Sequence, residues 1–168
     1  GCAPVSPARL DTSLLGGCLV LALGAWAWTS VLGLAVFADE LSGVPAANLA
    51  LLLVAQLAIS LTPLSLAFTL SRLGLREQGL NAAGNIGGMV LTFLGGAWVP
   101  LSLMGEEVCT VAHFVPTYWV SDAVTTLLGA SALTASDLAR VGTDIGVATL
   151  FAVAIAALGL ALSRARRA

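Results

Sequence analysis

The chain has no lysine, a single histidine and few charges of either sign. Charged residues make up 10% of its 168 residues and hydrophobic residues 58%, and the mean hydropathy is +0.99. A soluble domain of this length would have too few charged side chains to cover its surface. The shortage of charge therefore excludes an ordinary soluble domain and predicts a lipid bilayer as the surrounding solvent. No patch of interleaved basic and aromatic residues is present, so we expect no nucleic-acid partner.

The sequence signatures of common enzymes and metal sites are also missing. No GxxxxGK[ST] motif occurs, so we expect this chain not to bind ATP through a phosphate-binding loop. No GxSxG or HExxH motif accompanies the sole histidine, His113, which we interpret as an interfacial packing residue. Cys2, Cys18 and Cys109 form no CxxC pair and are expected to be buried thiols. We therefore expect no enzyme activity, no cofactor and no metal site in this chain.

Four segments have the length and apolar character of membrane-spanning helices, which need about 20 residues. They are residues 14–37, 47–70, 80–98 and 141–162. The sequence therefore predicts an all-α, polytopic membrane protein whose residues 1–168 form a single transmembrane domain. Because the chain begins without a methionine or a signal peptide, we interpret it as the later part of a longer membrane domain.

The positions of the arginines predict how these spans are oriented. If the four spans alternate, six of the seven arginines fall on one side, and only Arg140 falls on the other. An excess of arginine marks the cytoplasmic side of a membrane. We therefore expect a multi-pass protein of the cell membrane, with both chain ends and the loop containing Arg72, Arg76 and Glu77 in the cytoplasm. A fifth crossing would place the arginine-rich tail outside, so the charges favour a re-entrant excursion before the last span.

The segment between the third and fourth spans is interrupted where a continuous helix would be expected. The residues that interrupt it are glycines, prolines and adjacent carboxylates: Gly95, Gly96, Pro100, Glu106, Glu107 and Pro116. Glycine permits a sharp turn and proline cannot continue a regular helix. Non-helical backbone at membrane depth persists only where protein or a water-filled cavity satisfies its polar groups. We therefore predict a re-entrant helical hairpin over about residues 101–130.

Two features within the spans allow two interpretations each. Gly84 and Gly88 form a GxxxG motif, which brings helices together in lipid but also fits the ordinary tolerance of membrane helices for glycine. Asp144 is the acidic residue nearest to a span interior. An intramembrane carboxylate is a functional candidate, whereas a position close to the helix start also fits the membrane interface. Arg140 lies four residues earlier and is expected to be able to pair with Asp144.

Local signals also predict where two helices begin or bend. Thr134 and Asp137 have the spacing of a capping box that would open the last helix. Gln56 and Pro63 in the second span predict a kink whose freed carbonyl groups need partners. Helix packing and the lining of a transport pathway are both compatible with these polar residues.

The order of these features resembles the C-terminal part of ABC transporter permeases of the type-2 (export) superfamily. In that family the penultimate span ends at a glycine–proline break, two short re-entrant helices follow, and a P-x-x-Y/W segment with an acidic or polar residue precedes the last span. The corresponding positions here are Gly95, Gly96 and Pro100, a helix over residues 106–115, and Pro116, Tyr118, Trp119 and Asp122. The resemblance covers essentially the whole chain, as the last four of six expected spans.

The resemblance implies a permease subunit of an ATP-driven exporter that pairs with a second permease half and with separate ATP-binding subunits. ATP would be bound and hydrolysed on those partner subunits. The interrupted segment from Gly95 to Asp122 would form an outer gate, and Arg72, Arg76 and Glu77 would make a secondary contact with the ATP-binding subunit. The sequence does not specify the substrate. Two other functions remain open: a fragment of a secondary transporter, which would place charged residues near the bilayer midplane, and a non-transporting membrane scaffold subunit.

Overall fold

The computed structural model describes residues 7–74 and 76–165, and within these ranges the chain is entirely helical. The α-helices are α1 (Pro7–Val36), α2 (Ala38–Leu41), α3 (Ala46–Ser71), α4 (Glu77–Leu94), α5 (Glu106–Ala112), α6 (Pro116–Gly129) and α7 (Ala135–Ala165). A short 3-10 helix, Leu101–Leu103, lies between α4 and α5. The predicted all-α fold is confirmed. Cys2, Arg166 and Arg167 lie outside the described residues.

Three of these helices are long and apolar enough to cross a membrane, which indicates a membrane protein. They are Thr12–Val36 within α1, all of α3, and all of α7. The 26 residues of α3 extend over about 39 Å at about 1.5 Å per residue, more than the roughly 30 Å of a bilayer hydrocarbon core. The 18-residue α4 begins with Glu77 and Gln78 and has Asn81 in its second turn. These polar residues shorten its apolar run, so the predicted fourth crossing is not confirmed.

The start of α7 has the capping arrangement that its sequence predicts. The backbone N–H of Thr134 donates to Asp137 Oδ2 at 2.9 Å, and the backbone N–H of Asp137 donates to Thr134 Oγ1 at 3.2 Å. This reciprocal pair satisfies amide groups that have no partner inside the helix. The start of α6 is fixed differently, by Pro116 in its first turn, where the missing N–H removes no helical hydrogen bond. Both helix starts are therefore specified by local sequence.

The core of the molecule lies between α3 and α7, with α6 filling the space at one end. Two buried clusters join these three helices, one of Ala55, Val120 and Ala148, the other of Ala123, Leu127 and Val141. At the opposite end, Gly159 of α7 lies against Phe68 and Thr69 of α3. Small residues at these contacts let the helix axes approach closely, which is how helices associate in lipid.

Three hydrogen bonds of polar side chains join helix α1 to α3. Trp26 Nε1 donates to the carbonyl of Leu53 at 3.0 Å, and the hydroxyl of Ser30 donates to Gln56 Oε1 at 3.0 Å. Gln56 Nε2 in turn donates to the hydroxyl of Thr29 at 2.8 Å. Interhelical hydrogen bonds of this kind hold helices together where apolar surface alone gives no preference over lipid. Gln56, which the sequence left open between packing and a pathway, is therefore a packing residue.

Candidate functional site

Helix α6 begins level with the middle of the bundle rather than at its end. Val120, in the second turn of α6, is buried against Ala55 of α3 and Ala148, which lies near the middle of α7. The 14 residues of α6 extend over about 21 Å at about 1.5 Å per residue, which is too short to cross the hydrocarbon core. The chain therefore starts a new helix deep inside the bundle, between two long helices.

The other end of α6 is held at the start of α3 by a buried asparagine. Asn48 is 1% exposed, and its Nδ2 donates to the backbone carbonyls of Leu127 and Ala130, each at 2.9 Å. The carbonyl of Leu127 belongs to the last turn of α6, where carbonyls have no partner within the helix, and Ala130 is the residue that follows the helix. Asn48 was not among the residues predicted from the sequence. The sequence feature that could have identified it is a polar residue near the start of the long apolar segment that forms α3.

The end of α4 meets the start of α6 in a very close contact. A Cβ atom on Gly95 would overlap Thr117 Cβ, an approach that real side chains essentially never show. The hydroxyl of Thr117 donates to the carbonyl of Leu91 at 2.6 Å, and the hydroxyl of Ser121 donates to the carbonyl of Gly95. Two α6 side chains thus satisfy carbonyl groups at the end of α4. The predicted break of this helix at Gly95 and Gly96 is present, and the structure places it beside Pro116.

The chain between α4 and α5 turns twice and folds back on itself. Gly96 has a φ of +81°, in the left-handed region that favours glycine. Pro100 directly precedes the 3-10 helix. The thiol of Cys109 in α5 points back to this helix, with its Sγ 3.6 Å from the carbonyl oxygen of Leu101. Cys109, predicted to be a buried thiol, is half-buried in this turn.

Helix α5 is a single short segment that starts with two acidic residues. Glu106 and Glu107 lie in its first turn and are exposed, where negative charge is favoured by the helix dipole. The helix predicted over residues 106–115 ends earlier, at Ala112. Its end is earlier because Val115 is extended, the backbone conformation favoured before a proline such as Pro116.

Three aromatic rings define the turn between α5 and α6. The ring centroids of His113 and Tyr118 lie 4.1 Å apart, and those of His113 and Trp119 lie 5.5 Å apart. Trp119 Nε1 donates to the carbonyl of His113 at 2.9 Å, and His113 Nδ1 lies 2.6 Å from the carbonyl oxygen of Cys109. The structure thus brings His113 together with Tyr118 and Trp119. It places His113 in a packing role.

A charged contact joins α6 to α7. Arg140 Nη2 donates to Asp122 Oδ1 at 2.7 Å, and Arg140 Nε donates to Asp122 Oδ2 at 2.8 Å. The spacing in the sequence had suggested Asp144 as the partner of Arg140. Arg140 pairs with Asp122 instead. The reason is that α6 runs beside the start of α7, so that both oxygens of one carboxylate face the planar guanidinium. Asp144 is 3% exposed, and its Oδ2 has no hydrogen-bond partner within the described ranges.

An apolar cavity of about 690 Å³ opens between α3 and α4. Gly84 and Gly88 line it, and a Cβ atom at either position would meet no described atom within 4 Å. The GxxxG motif formed by Gly84 and Gly88 therefore faces open space, and no described helix packs against it. Thr62 also lines the cavity, and its hydroxyl is buried with no partner among the described residues. The chemistry of this cavity fits an apolar molecule or an additional helix with a small polar group.

The residues predicted to contact an ATP-binding subunit lie at the far end of α3 from Asn48. The guanidinium carbon of Arg72 lies 4.7 Å from the centroid of the Phe68 ring, within the range of a cation–π contact. Arg76 and Glu77 are exposed at the start of α4. The structure thus separates these residues from the interrupted segment between α4 and α7.

Comparisons of the chain with protein-family models, with curated proteins and with solved structures find no match. Two features of the molecule itself therefore point to function. One is the interrupted helical segment between α4 and α7, and the other is the charged contact of Asp122, Arg140 and Asp144.

Proposed function

We propose that the chain is a membrane-spanning permease subunit of an ATP-driven ABC exporter of the type-2 class. The observation that carries this proposal is the position of α6, which starts beside Ala55 and Ala148 in the middle of the bundle. A soluble helical bundle or a simple membrane anchor has no need for a helix that begins at this depth. In an exporter, such a helix can close the outer half of a pathway while the inner half is open.

In this proposal α4 is the fourth membrane crossing, and α5 and α6 form a re-entrant hairpin on the outer side. The end of α4 at Gly95 supports it, because the contact with Thr117 returns the chain to the bundle without a further crossing. The short lengths of α5 and α6 are compatible with helices that enter and leave on one side. The outer gate then consists of the segment from Gly95 to Asp122.

The partners in this proposal are a second permease half, the lipid bilayer and an ATP-binding subunit that carries the nucleotide. Arg72, Arg76 and Glu77 form a secondary contact with the ATP-binding subunit on the cytoplasmic side. ATP binding would favour one conformation of the permease dimer and so move substrate outward. The exposure of Arg76 and Glu77 supports this assignment, since a docking contact must be accessible.

A secondary transporter is the second candidate, and the buried Asp144 is the observation that favours it. Secondary transporters place ionisable coupling residues within the bundle, near discontinuous helices. Asp144 is 3% exposed and lies on α7 beside the interrupted segment. Such a carboxylate could couple substrate movement to a proton or ion gradient instead of to ATP.

The two candidates differ in their energy source, and reconstitution of the full-length protein distinguishes them. The membrane protein is purified from its natural host with its associated subunits, and ATP hydrolysis is measured in liposomes. The exporter proposal predicts a co-purifying subunit with a phosphate-binding loop, and ATP hydrolysis that Arg76→Glu lowers modestly without loss of membrane insertion. Absence of any such subunit, with uptake of protons on a pH step, would favour the secondary transporter. Loss of insertion in Arg76→Glu would show that Arg76 only determines topology.

A further inference from the structure

The contact between α6 and α7 contains two acidic residues, Asp122 and Asp144, and one basic residue, Arg140. Asp122 and Arg140 form a bidentate ion pair, in which the Asp122 side chain is 20% exposed. Asp144 follows Arg140 by one turn of α7, and its carboxyl interacts electrostatically with that of Asp122. If both carboxyls were ionised, the two acids and Arg140 would together carry a net charge of −1, with Asp144 3% exposed and the Arg140 side chain 59% exposed.

Among the described residues of α3, α6 and α7, Arg140 is the positive charge near Asp144. The neighbouring helix α3 contains no titratable residue over its whole length, Ala46–Ser71. The titratable groups that α6 contributes are Tyr118 and Asp122, and α7 contributes Arg140 one turn before Asp144. Arg140 already uses Nε and Nη2 on Asp122. An ionised Asp144 would therefore be a buried charge without its own partner, which is strongly unfavourable.

The unpartnered oxygen of Asp144 indicates how a buried, unpaired charge at this position is avoided. Asp144 Oδ2 is buried and accepts no hydrogen bond from any described group. Two facing carboxylates cannot bond to each other, because neither has a donor. A single proton on one of them supplies the missing O–H and removes the excess charge, as in other carboxyl pairs that share a site.

We propose that Asp122 and Asp144 form a proton-binding site between α6 and α7, in which protonated Asp144 donates a hydrogen bond to the Asp122 carboxylate. Arg140 keeps Asp122 as the ionised partner, so that the proton resides on the buried acid. Binding of the proton tightens the contact between the interrupted segment and the last long helix. Its release leaves two facing carboxylates and weakens that contact. This proposal does not depend on whether ATP or an ion gradient drives transport.

A metal ion would fit the site between Asp122 and Asp144 less well than a proton does. No cluster of three or more histidine, cysteine or acidic residues in the described part of the chain could hold a metal ion. Asp122 already gives both of its oxygens to Arg140, which leaves Asp144 as the main free ligand. A sodium ion would have to compete with that guanidinium, whereas a proton needs a single oxygen.

The test is infrared spectroscopy of the full-length protein in lipid at about pH 5, where an ordinary aspartate is ionised, and it detects the carbonyl stretch of a protonated carboxyl. We compare the wild type with Asp144→Asn, which is neutral and retains an N–H donor, and with Asp39→Asn, which changes an exposed acid of α2. The expected result is a protonated-carboxyl band in the wild type and in Asp39→Asn, and its loss in Asp144→Asn. Absence of the band in the wild type, or its persistence in Asp144→Asn, would overturn the proposal.

Thermal unfolding over a pH series gives a second, independent readout. A proton that is bound in the folded state but lost from the unfolded chain stabilises the fold at low pH, and this stabilisation is lost as the pH rises. We therefore expect the Tm of the wild type to fall by about 3 °C or more as the pH rises from about 4, the pKa of aspartate in an unfolded chain, to about 8. Asp144→Asn should lack this decline, and Asp39→Asn should retain it. A Tm at neutral pH that rises with sodium but not with choline, in a protein without the infrared band, would identify a cation site and reject the proton site.

Discussion

Gly95 and Thr117 approach so closely that a Cβ on the glycine would overlap the Cβ of the threonine. Gly95→Ala must therefore displace the end of α4 or the start of α6. We expect this variant to lose about 1–3 kcal/mol of stability, the usual cost of overpacking, and to show a lower Tm in detergent. Gly105→Ala is the matched control, because a Cβ there would meet no described atom within 4 Å. Equal Tm values for the two variants would show that the contact does not form.

Helix α7 offers a second matched pair of glycines. A Cβ on Gly159 would lie 2.7 Å from Thr69 Oγ1 and 2.8 Å from Phe68 Cδ1, whereas a Cβ on Gly146 would meet nothing within 4 Å among the described residues. Gly159→Ala should push α7 away from α3 and cost about 1–3 kcal/mol. Gly146→Ala should be neutral or slightly stabilising, since alanine has the higher helix propensity. The free energies of unfolding of both variants measure the difference, and a neutral Gly159→Ala would contradict the packing of these helices.

Asn48 is expected to fix the outer end of α6. Asn48→Leu keeps a branched side chain, although a larger one, and removes both hydrogen bonds to the carbonyls of Leu127 and Ala130. Buried carbonyls without partners cost about 1–3 kcal/mol each, so the variant should unfold at a clearly lower temperature. The control is Asn85→Leu, which changes an exposed asparagine of α4. The idea fails if hydrogen exchange at the end of α6 is equally slow in Asn48→Leu and in the wild type.

The orientation of the chain is testable by labelling from outside the cell. In a background without native cysteines, single cysteines at Ser42 and Glu106 should react with an impermeant thiol reagent added to intact cells. A cysteine at Gln78 should react only after the membrane is opened, because the arginine-rich loops are predicted to be cytoplasmic. All three positions are exposed in the fold, so protection of one of them reports the membrane rather than burial. Labelling of Gln78 from outside with protection of Ser42 would reverse the predicted orientation.

The sequence predicts the helical class well because its signals are local. Apolar runs specify α1, α3 and α7, and the capping box at Thr134 and Asp137 specifies the start of α7. The helix break at Gly95 and Gly96 is also local, since it follows from residues that favour a turn. Each of these features depends on neighbours within one or two turns of the chain.

The parts of the candidate site that the sequence did not predict depend on contacts between distant segments. Asn48 bonds to Leu127, 79 residues away, and Arg140 pairs with Asp122, 18 residues earlier. The spacing rule for helices favoured Asp144 as the partner of Arg140, but it contains no information about a neighbouring helix. Only the position of α6 beside α7 brings Asp122 into reach. The same tertiary contact buries Asp144, which spacing alone left open between core and interface.

The outer gate is the prediction that links the interrupted segment to transport. Gly96 has a φ of +81°, and a Cβ there would lie 2.9 Å from Leu101 Cγ, so that Gly96→Leu combines backbone strain with a steric conflict. Pro100→Ala removes the residue that precedes the 3-10 helix and lets the chain adopt other conformations. Both variants should reduce export while the ATP-binding partner still co-purifies, since Arg76 lies at the start of α4 and Gly96 lies after its end. Export is measured as rescue of a host strain that lacks the gene.

The matched control for this gate prediction is Gly105→Leu, in the same segment. A Cβ at Gly105 would meet no described atom within 4 Å, and its backbone φ of −64° is accessible to any residue. Export should therefore remain near the wild-type level, even though leucine is introduced close to Glu106. Normal export by a variant that carries both Gly96→Leu and Pro100→Ala would show that this segment packs on the outer surface without gating. Equal loss of export in Gly105→Leu and Gly96→Leu would show that any bulky change there is harmful, and that the turn geometry at Gly96 is not the cause.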